Sequence, residues 1–170
     1  NRNNNNNYTI KIDDSSVDPN DLNTIVNKTS AVVDASSVTQ ISGSITDINA
    51  FYALNGIAGL DNATTQISES TVTVNTLNTL DAARAGVIDA SSVTQISGSV
   101  VDLITAYNSD GITGLDNANI SLIVNDATVA VSSLNTLVSK TTGEIDASAV
   151  TKISGPVVDL ITAYNSDGIT

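Results

Sequence analysis

The chain has 170 residues, a net charge of −12, and neither histidine nor cysteine. Ser-His-Asp triads, His or Cys metal clusters and disulfide frameworks are therefore excluded. Its six Lys and Arg residues are too few to neutralise a nucleic-acid backbone, and its apolar runs are far shorter than the roughly 20 residues that span a bilayer. We therefore expect neither nucleic acid as a partner nor a membrane span.

An internal repeat is the strongest feature of the sequence. Residues 34–44 read DASSVTQISGS, residues 89–99 repeat these letters without change, and residues 146–156 read DASAVTKISGP. The copies begin 55 and 57 residues apart. We expect one continuous array of three repeats of about 56 residues each. Their approximate bounds are 1–56, 57–113 and 114–170, with a degenerate poly-Asn start at 1–7.

The first repeat opens with a strand-like stretch, in which Ile10 and Ile12 flank a polar residue. A helix is then predicted to begin near residues 18–19, because Asp is a good N-cap and Pro fits the first helical turn. Its buried side is expected to carry Leu22, Ile25 and Val26. Equivalent helices are predicted to begin near Asn75 and Ser132.

A second helix follows in each repeat and is clearest at Val100–Tyr107, where the positions i, i+3, i+4 and i+7 are all apolar. Ser99 is a suitable N-cap, and Asp102 stands three residues later in a pair that resembles a capping box. In the third repeat Pro156 takes the place of this serine, which still suits the start of a helix.

Glycines and tyrosines around this second helix give two further expectations. Gly111 and Gly168 are predicted to end the helix in the left-handed conformation. The tyrosines lie on the apolar side of the helix and are predicted to belong to the core; they are Tyr52, Tyr107 and Tyr164.

A strand followed by a short helix, recurring twice in each repeat, describes coils of about 27 or 28 residues. No such coil can bury its own apolar face, so neighbouring coils must stack. We therefore predict a repeat protein, a β-solenoid or β/α-solenoid with parallel sheets and short capped helices. The alternative is a row of tandem small α+β or β-sandwich domains, one for each repeat.

Calcium is the only cofactor that the sequence suggests, because Asp and Asn oxygens recur at predicted turns and are ligands that Ca²⁺ prefers. Seven aspartates are candidate metal ligands. They are Asp34, Asp89 and Asp146 in the DAS motif, Asp61 and Asp116 in the GLDNA motif, and Asp110 and Asp167 in the NSDG motif. The sequence lacks the calcium-binding nonapeptide of β-rolls and a complete EF-hand loop. The same residue types also favour turns without any metal.

Residues 77–115 read LNTLDAARAGVIDASSVTQISGSVVDLITAYNSDGITGL. This pattern resembles the tandem repeats of very large secreted surface proteins of marine cyanobacteria and other Gram-negative bacteria, and the resemblance extends over nearly the whole chain. It implies an extracellular or cell-surface location, type I secretion, and a part in a surface layer, adhesin stalk or filament. It carries no functional residue over to this chain.

The repetition of the acidic residues favours a structural role over catalysis, because an active site needs one asymmetric constellation; we predict no enzyme and no catalytic residue. Thr170 is equivalent to Thr113, and Asn1 falls on the same position of the repeat. We therefore predict an extracellular filament or surface fibre formed by head-to-tail self-association. The alternative is a stalk, spacer or carbohydrate-binding segment of a large calcium-responsive adhesin, with a cell surface or polysaccharide as partner.

Overall fold

A computed structural model describes residues 8–83 and 86–170, in which six short helices alternate with fourteen short strands. The helices are α1 (Pro19–Val26), α2 (Ile45–Tyr52), α3 (Val74–Ala82), α4 (Val100–Tyr107), α5 (Val131–Lys140) and α6 (Val157–Tyr164). The strands are β1 (Ile10–Lys11), β2 (Ser16–Val17), β3 (Val33–Asp34), β4 (Gln40–Gly43), β5 (Ile57–Ala58), β6 (Thr64–Ile67), β7 (Thr71–Thr73), β8 (Ile88–Asp89), β9 (Gln95–Gly98), β10 (Ile112–Thr113), β11 (Ser121–Val124), β12 (Thr128–Ala130), β13 (Ile145–Asp146) and β14 (Lys152–Ser154). The protein has an α/β fold.

Each helix closes one layer of the chain. Layers 1, 2, 4 and 6 each contain two of the described strands and one helix, whereas layers 3 and 5 contain three strands and one helix. Every strand pairing among the described residues is parallel and joins two neighbouring layers. The helices follow the same order, since each contacts the helix of the next layer. The prediction of parallel sheets and short helices is confirmed.

The middle strand of layers 3 and 5 pairs with the second strand of the layer before it and with the first strand of the layer after it. In layer 3 the middle strand β6 pairs with β4 of layer 2 along one edge and with β8 of layer 4 along the other. In layer 5 the strand β11 pairs in the same way with β9 and β13. Paired residues are therefore only 23 to 26 positions apart. The predicted period of about 27 or 28 residues is longer than this spacing. The reason is that the period also includes the residues between the first strand and the middle strand of each odd layer.

The predicted helix caps are confirmed. The Asp18 carboxylate accepts a hydrogen bond from the Asn20 N–H at 2.7 Å at the start of α1. The Ser99 hydroxyl accepts one from the Asp102 N–H at 3.1 Å at the start of α4, and Ser44 does the same for α2. The helices α3 and α5 begin one residue before the predicted positions, because the preceding strands run directly into them.

The prediction of left-handed glycines at the helix ends is wrong. Neither Gly111 nor Gly168 has a positive φ, and α4 ends with Asn108 in the right-handed region. The left-handed glycines include Gly59 and Gly114, with φ of 92° and 84°. These two lie where the backbone of one layer approaches the DAS turn of the preceding layer, and close backbone contact between layers is the reason that glycine is required there.

The core consists of small layers of Val, Ile, Leu and Ala side chains, together with Phe51. Each of the first five helices contributes at least one almost fully buried side chain at the equivalent central position, and these side chains are Leu22, Ile48, Leu77, Leu103 and Leu134. Tyr52 and Tyr107 pack against this core in part, as predicted, but Tyr164 is 82% exposed. Within the described residues no helix has both the length and the apolar character needed to cross a bilayer.

We expect Gly114→Ala to lower the free energy of unfolding by about 1–3 kcal/mol, because the alanine must adopt a strained positive φ. Its Cβ would also lie 2.6 Å from the Ser91 backbone nitrogen. The matched control is Gly168→Ala, whose Cβ would meet nothing closer than 3.7 Å and whose φ is not positive. Urea unfolding followed by circular dichroism measures both. Equal destabilisation by the two substitutions would contradict the close approach of the layers.

Candidate functional site: contacts between layers and the two end surfaces

The DAS aspartates close turns. Each accepts a hydrogen bond at 2.9 Å from the backbone N–H two residues later, in the pairs Asp34–Ser36, Asp89–Ser91 and Asp146–Ser148. The hydroxyl of Ser36 and then its backbone N–H lower the pKa of Asp34, and Ser148 lowers the pKa of Asp146 in the same way. These three carboxylates therefore fix the turn that follows the first strand of the even layers.

The structure does not bring the seven predicted calcium ligands together. The DAS aspartates lie in layers 2, 4 and 6, and an intervening layer separates each from the next. The other four are exposed side chains in different turns: Asp61, Asp110, Asp116 and Asp167. Among residues 8–83 and 86–170 no group of three or more acidic side chains is placed to hold a metal ion. Calcium binding stays a prediction from the sequence.

We expect Ser36→Ala to raise the pKa of Asp34 toward its ordinary value, since the serine hydroxyl is the largest cause of the lowered pKa. A carboxylate with a lowered folded-state pKa contributes stability above its unfolded pKa, and that contribution is lost as the pH falls through the folded pKa. Carboxyl NMR titration measures the change, with Asp146 in the same variant as the internal control. An unchanged Asp34 pKa, or a parallel rise at Asp146, would contradict this assignment.

The starts of the two even helices α2 and α4 each receive a carboxylate from the following layer. The Ile45 N–H at the start of α2 donates to both carboxylate oxygens of Glu69 at 3.0 Å. The Val100 N–H at the start of α4 donates to the Asp126 carboxylate at 2.7 Å. A negative group at a helix N-terminus satisfies a free N–H and interacts favourably with the helix dipole. These two carboxylates therefore fasten layer 3 to layer 2 and layer 5 to layer 4.

Sequence reasoning missed these carboxylates. Glu69 and Asp126 are 57 residues apart, so they hold one position of the repeat, and 55 residues before Glu69 the same position is Asp14. The sequence did contain a signal for these residues, because this position of the repeat is acidic in all three copies, as Asp, Glu and Asp in turn. Only the folded chain shows that this position faces the helix start of the preceding layer.

We expect Asp126→Ala to lower the free energy of unfolding by about 1–2 kcal/mol, because the Val100 N–H loses its acceptor and the helix loses a favourable charge. Asp110→Ala is the control, since Asp110 is exposed and its loss removes the same charge. That variant is expected to stay within about 0.5 kcal/mol of the parent. Equal changes in the free energy of unfolding for Asp126→Ala and Asp110→Ala, measured by thermal or urea unfolding, would show that the contact between layers does not stabilise the fold.

The C-terminal end surface is defined as the face of layer 6 that lies opposite layer 5. Its helix α6 and the internal helix α4 share the octapeptide VVDLITAY. In α4, Val100 is 4% exposed beneath layer 5, whereas the equivalent Val157 of α6 is 72% exposed. The apolar residues of this surface are Val150, Ile153, Val157, Leu160, Ile161 and Tyr164. Two of them, Ile153 and Tyr164, line a shallow cavity of about 100 Å³ together with Leu134, Ala163 and Ile169.

The N-terminal end surface is the opposite face, formed by layer 1. It contains a groove of about 580 Å³ whose apolar walls are Ile10, Ile12, Val17, Leu22 and Ile25 and whose polar rim includes Lys11, Asp13, Asp14, Asp18 and Asp21. Tyr8 next to this groove is 67% exposed, although its equivalents in the later repeats, Ala63 and Ile120, are buried. Both end surfaces thus expose residues whose equivalents form the core elsewhere in the chain.

Comparison with known proteins found no matching family model, no matching curated protein and no matching solved structure.

Proposed function

We propose that this protein is a structural subunit that forms an extracellular filament or surface fibre by head-to-tail stacking, and that its α/β fold is a solenoid. One observation carries the proposal. The octapeptide VVDLITAY is covered by layer 5 in α4 but exposed in α6, so the C-terminal end surface presents the residues of an internal interface. Large exposed apolar patches of this kind mark interaction sites.

The strand pairing supports a solenoid over a row of separate small domains. One sheet has the strand order β10-β8-β6-β4-β2, so it extends from layer 1 to layer 5. Strand pairing crosses both boundaries between the predicted repeats, because β4 of the first repeat pairs with β6 of the second, and β9 of the second repeat pairs with β11 of the third. A separate domain for each repeat would keep its pairing within one repeat.

The unpaired strand edges at both ends support the association of one copy of the chain with another. Among the described strands β14 and β1 each have a partner on one edge only, whereas their internal equivalents β9 and β6 are paired on both edges. Unpaired parallel edges are templates for another strand. Each end surface has both an unpaired strand edge and exposed apolar side chains. The two surfaces can therefore pair strands and bury apolar side chains against each other.

The size of the end surfaces suits reversible assembly. Burying a Val, Leu, Ile or aromatic side chain contributes about 1.5–3 kcal/mol, so six such residues contribute on the order of 10 kcal/mol as an upper estimate. Association of two molecules costs an estimated 4–15 kcal/mol or more in lost freedom. Apolar burial alone therefore roughly balances the cost, and strand pairing and hydrogen bonds must supply the rest.

The extracellular location rests on the resemblance to secreted surface repeats and on the acidic composition, with a net charge of −12. The competing proposal is a spacer within a large calcium-responsive adhesin. In that case covalently linked repeats would cover the two end surfaces. The subunit mass of the native material separates the two proposals, since a filament subunit of this chain has a mass of 17.4 kDa.

We expect Val157→Asp to abolish fibres in negative-stain electron microscopy and in sedimentation, because it places a charge in the apolar contact. Val158→Asp is the matched control. Val158 is as exposed as its neighbour, but its equivalent Val101 remains 62% exposed beneath layer 5, so it stays outside the contact. Fibres of normal length are expected for this control. A parent chain that stays monomeric at high concentration, with or without calcium, would contradict the proposed function.

A further inference from the structure

We infer that two copies of the chain join through one shared layer, fastened by the Asp14 carboxylate of the next copy on the Val157 N–H of α6. The inference rests on the proposed head-to-tail assembly and specifies its register. The internal contacts between even and odd layers are the template, because the same positions of the repeat occur at both ends of the chain.

Layer 1 has the pairing of an odd layer. Ile10 of β1 pairs with Val33, as Thr65 of the middle strand β6 pairs with Ile88 and as Leu122 of β11 pairs with Ile145. The first strand of an odd layer corresponds to residues 2–3, which lie outside the described residues. At the other end, Ile169 forms a bridge with Ile145, just as Ile112 of the first strand β10 pairs with Ile88.

These two ends complete one odd layer between them. Residues 169–170 of one copy stand in the position of its first strand, and β1, β2 and α1 of the next copy supply its remaining strands and its helix. The shared layer thus has the composition of layers 3 and 5. Among the described residues of the two copies, no position of this layer is filled twice.

The internal pairs give the register of the joint. Ile41 of β4 pairs with Thr65, and Ile96 of β9 pairs with Leu122. The equivalent contact at the joint pairs Ile153 of β14 with Ile10 of the next copy. It follows that Lys152 faces Thr9 of the next copy, as Gln95 faces Ser121 inside the chain.

Internal backbone hydrogen bonds extend the same register on both sides of this pair. The Ser121 N–H donates to the Thr94 carbonyl at 2.9 Å, and the Asn125 N–H donates to the Gly98 carbonyl at 2.9 Å. Their equivalents at the joint connect Thr9 and Asp13 of the next copy to the carbonyls of Thr151 and Gly155. Four residues of each strand therefore match the internal ladder.

The helix α6 lacks the caps that its equivalents have. Pro156 stands where Ser44 and Ser99 supply a hydroxyl, so α6 has no side-chain cap. Within residues 8–83 and 86–170 the Val157 N–H also has no carboxylate like Glu69 or Asp126. Asp14 of the next copy holds the equivalent position of the repeat and lies in the polar rim of the N-terminal groove. It supplies the missing negative group.

One pair of charges makes the joint weaker than an internal contact. Gln40 donates from its amide nitrogen to the Gln66 amide oxygen at 3.2 Å, whereas the equivalents at the joint are Lys152 and Lys11. Like charges on neighbouring strands repel, and salt screens the repulsion between exposed groups. The joint is therefore expected to strengthen as the salt concentration rises from 10 to 150 mM, about one decade of ionic strength.

Cysteine cross-linking tests the register, because the chain contains no cysteine of its own. The variant Thr9→Cys/Lys152→Cys places two cysteines on directly opposed residues of adjacent strands, with Cα atoms about 5 Å apart, a separation that suits a disulfide. Mild oxidation of assembled fibres is expected to give a ladder of multiples of the subunit on a non-reducing gel. In the control variant Asp13→Cys/Lys152→Cys, the first cysteine lies four residues beyond Thr9, about 13 Å further along the strand. This variant is expected to stay monomeric on the gel.

The outcomes separate this inference from the proposed function. Fibres of the Thr9→Cys/Lys152→Cys variant that do not cross-link, or that cross-link no better than the control variant, would overturn the register and leave the filament proposal standing. A parent chain that forms no fibres would overturn the filament proposal itself. Selective cross-linking supports both.

Substitution of Asp14 tests the carboxylate contact. Asp14→Asn is expected to weaken association about tenfold, because a charged hydrogen bond to a helix start is lost. Asp14→Glu is expected to retain association, since Glu69 fills this role inside the chain. The matched control is Asp13→Asn, which removes the same charge and creates the residue found at the equivalent Asn125. Association constants from analytical ultracentrifugation that fall equally for Asp14→Asn and Asp13→Asn would overturn the role of Asp14.

Discussion

Every layer of this protein depends on its neighbour for both hydrogen bonds and apolar contact. The strands are two to four residues long, and each described pairing is parallel and joins one layer to the next. Strands of this length do not form stable sheets alone. The inward side chains of each helix, such as Leu77 and Leu103, are buried because the strands of adjacent layers meet beneath them. Stability therefore accumulates along the chain as contacts between nearest neighbours.

The alternation of two-stranded and three-stranded layers makes odd and even contacts different. An even layer receives a carboxylate from the layer after it, at Ile45 and at Val100. An odd layer reaches forward with a helix asparagine, since the Asn78 amide donates to the Asp102 carbonyl at 3.0 Å and Asn135 does the same to Asp159. The proposed head-to-tail assembly would use these two unlike kinds of contact at its two interacting surfaces.

Five of the aspartates accept a hydrogen bond from a backbone N–H. Asp34, Asp89 and Asp146 close turns, Asp18 caps a helix, and Asp126 fastens one layer to another. The turns and the helix cap suit a short side chain whose oxygens reach a nearby backbone N–H, whereas the contact between layers is made by Asp126 in one place and by Glu69 in another. These hydrogen bonds explain the presence of these aspartates without any bound ion. The predicted calcium sites would need further ligands besides these hydrogen-bonded carboxylates.

The sequence by itself determined the repeat, the helices and most of their caps, because these depend on residues close together in the chain. The stripe from Val100 to Tyr107 and the Ser99 cap are local features, and so is the period that requires layers to stack. Only the tertiary structure decided which strand pairs with which, where left-handed glycines are needed, and which acidic residues reach another layer. Gly114 and Asp126 act on residues more than 20 positions away, and a local pattern carries no information about that distance. The same holds for Tyr164, since its octapeptide is identical to that of α4 and only the presence or absence of a covering layer decides whether it is buried.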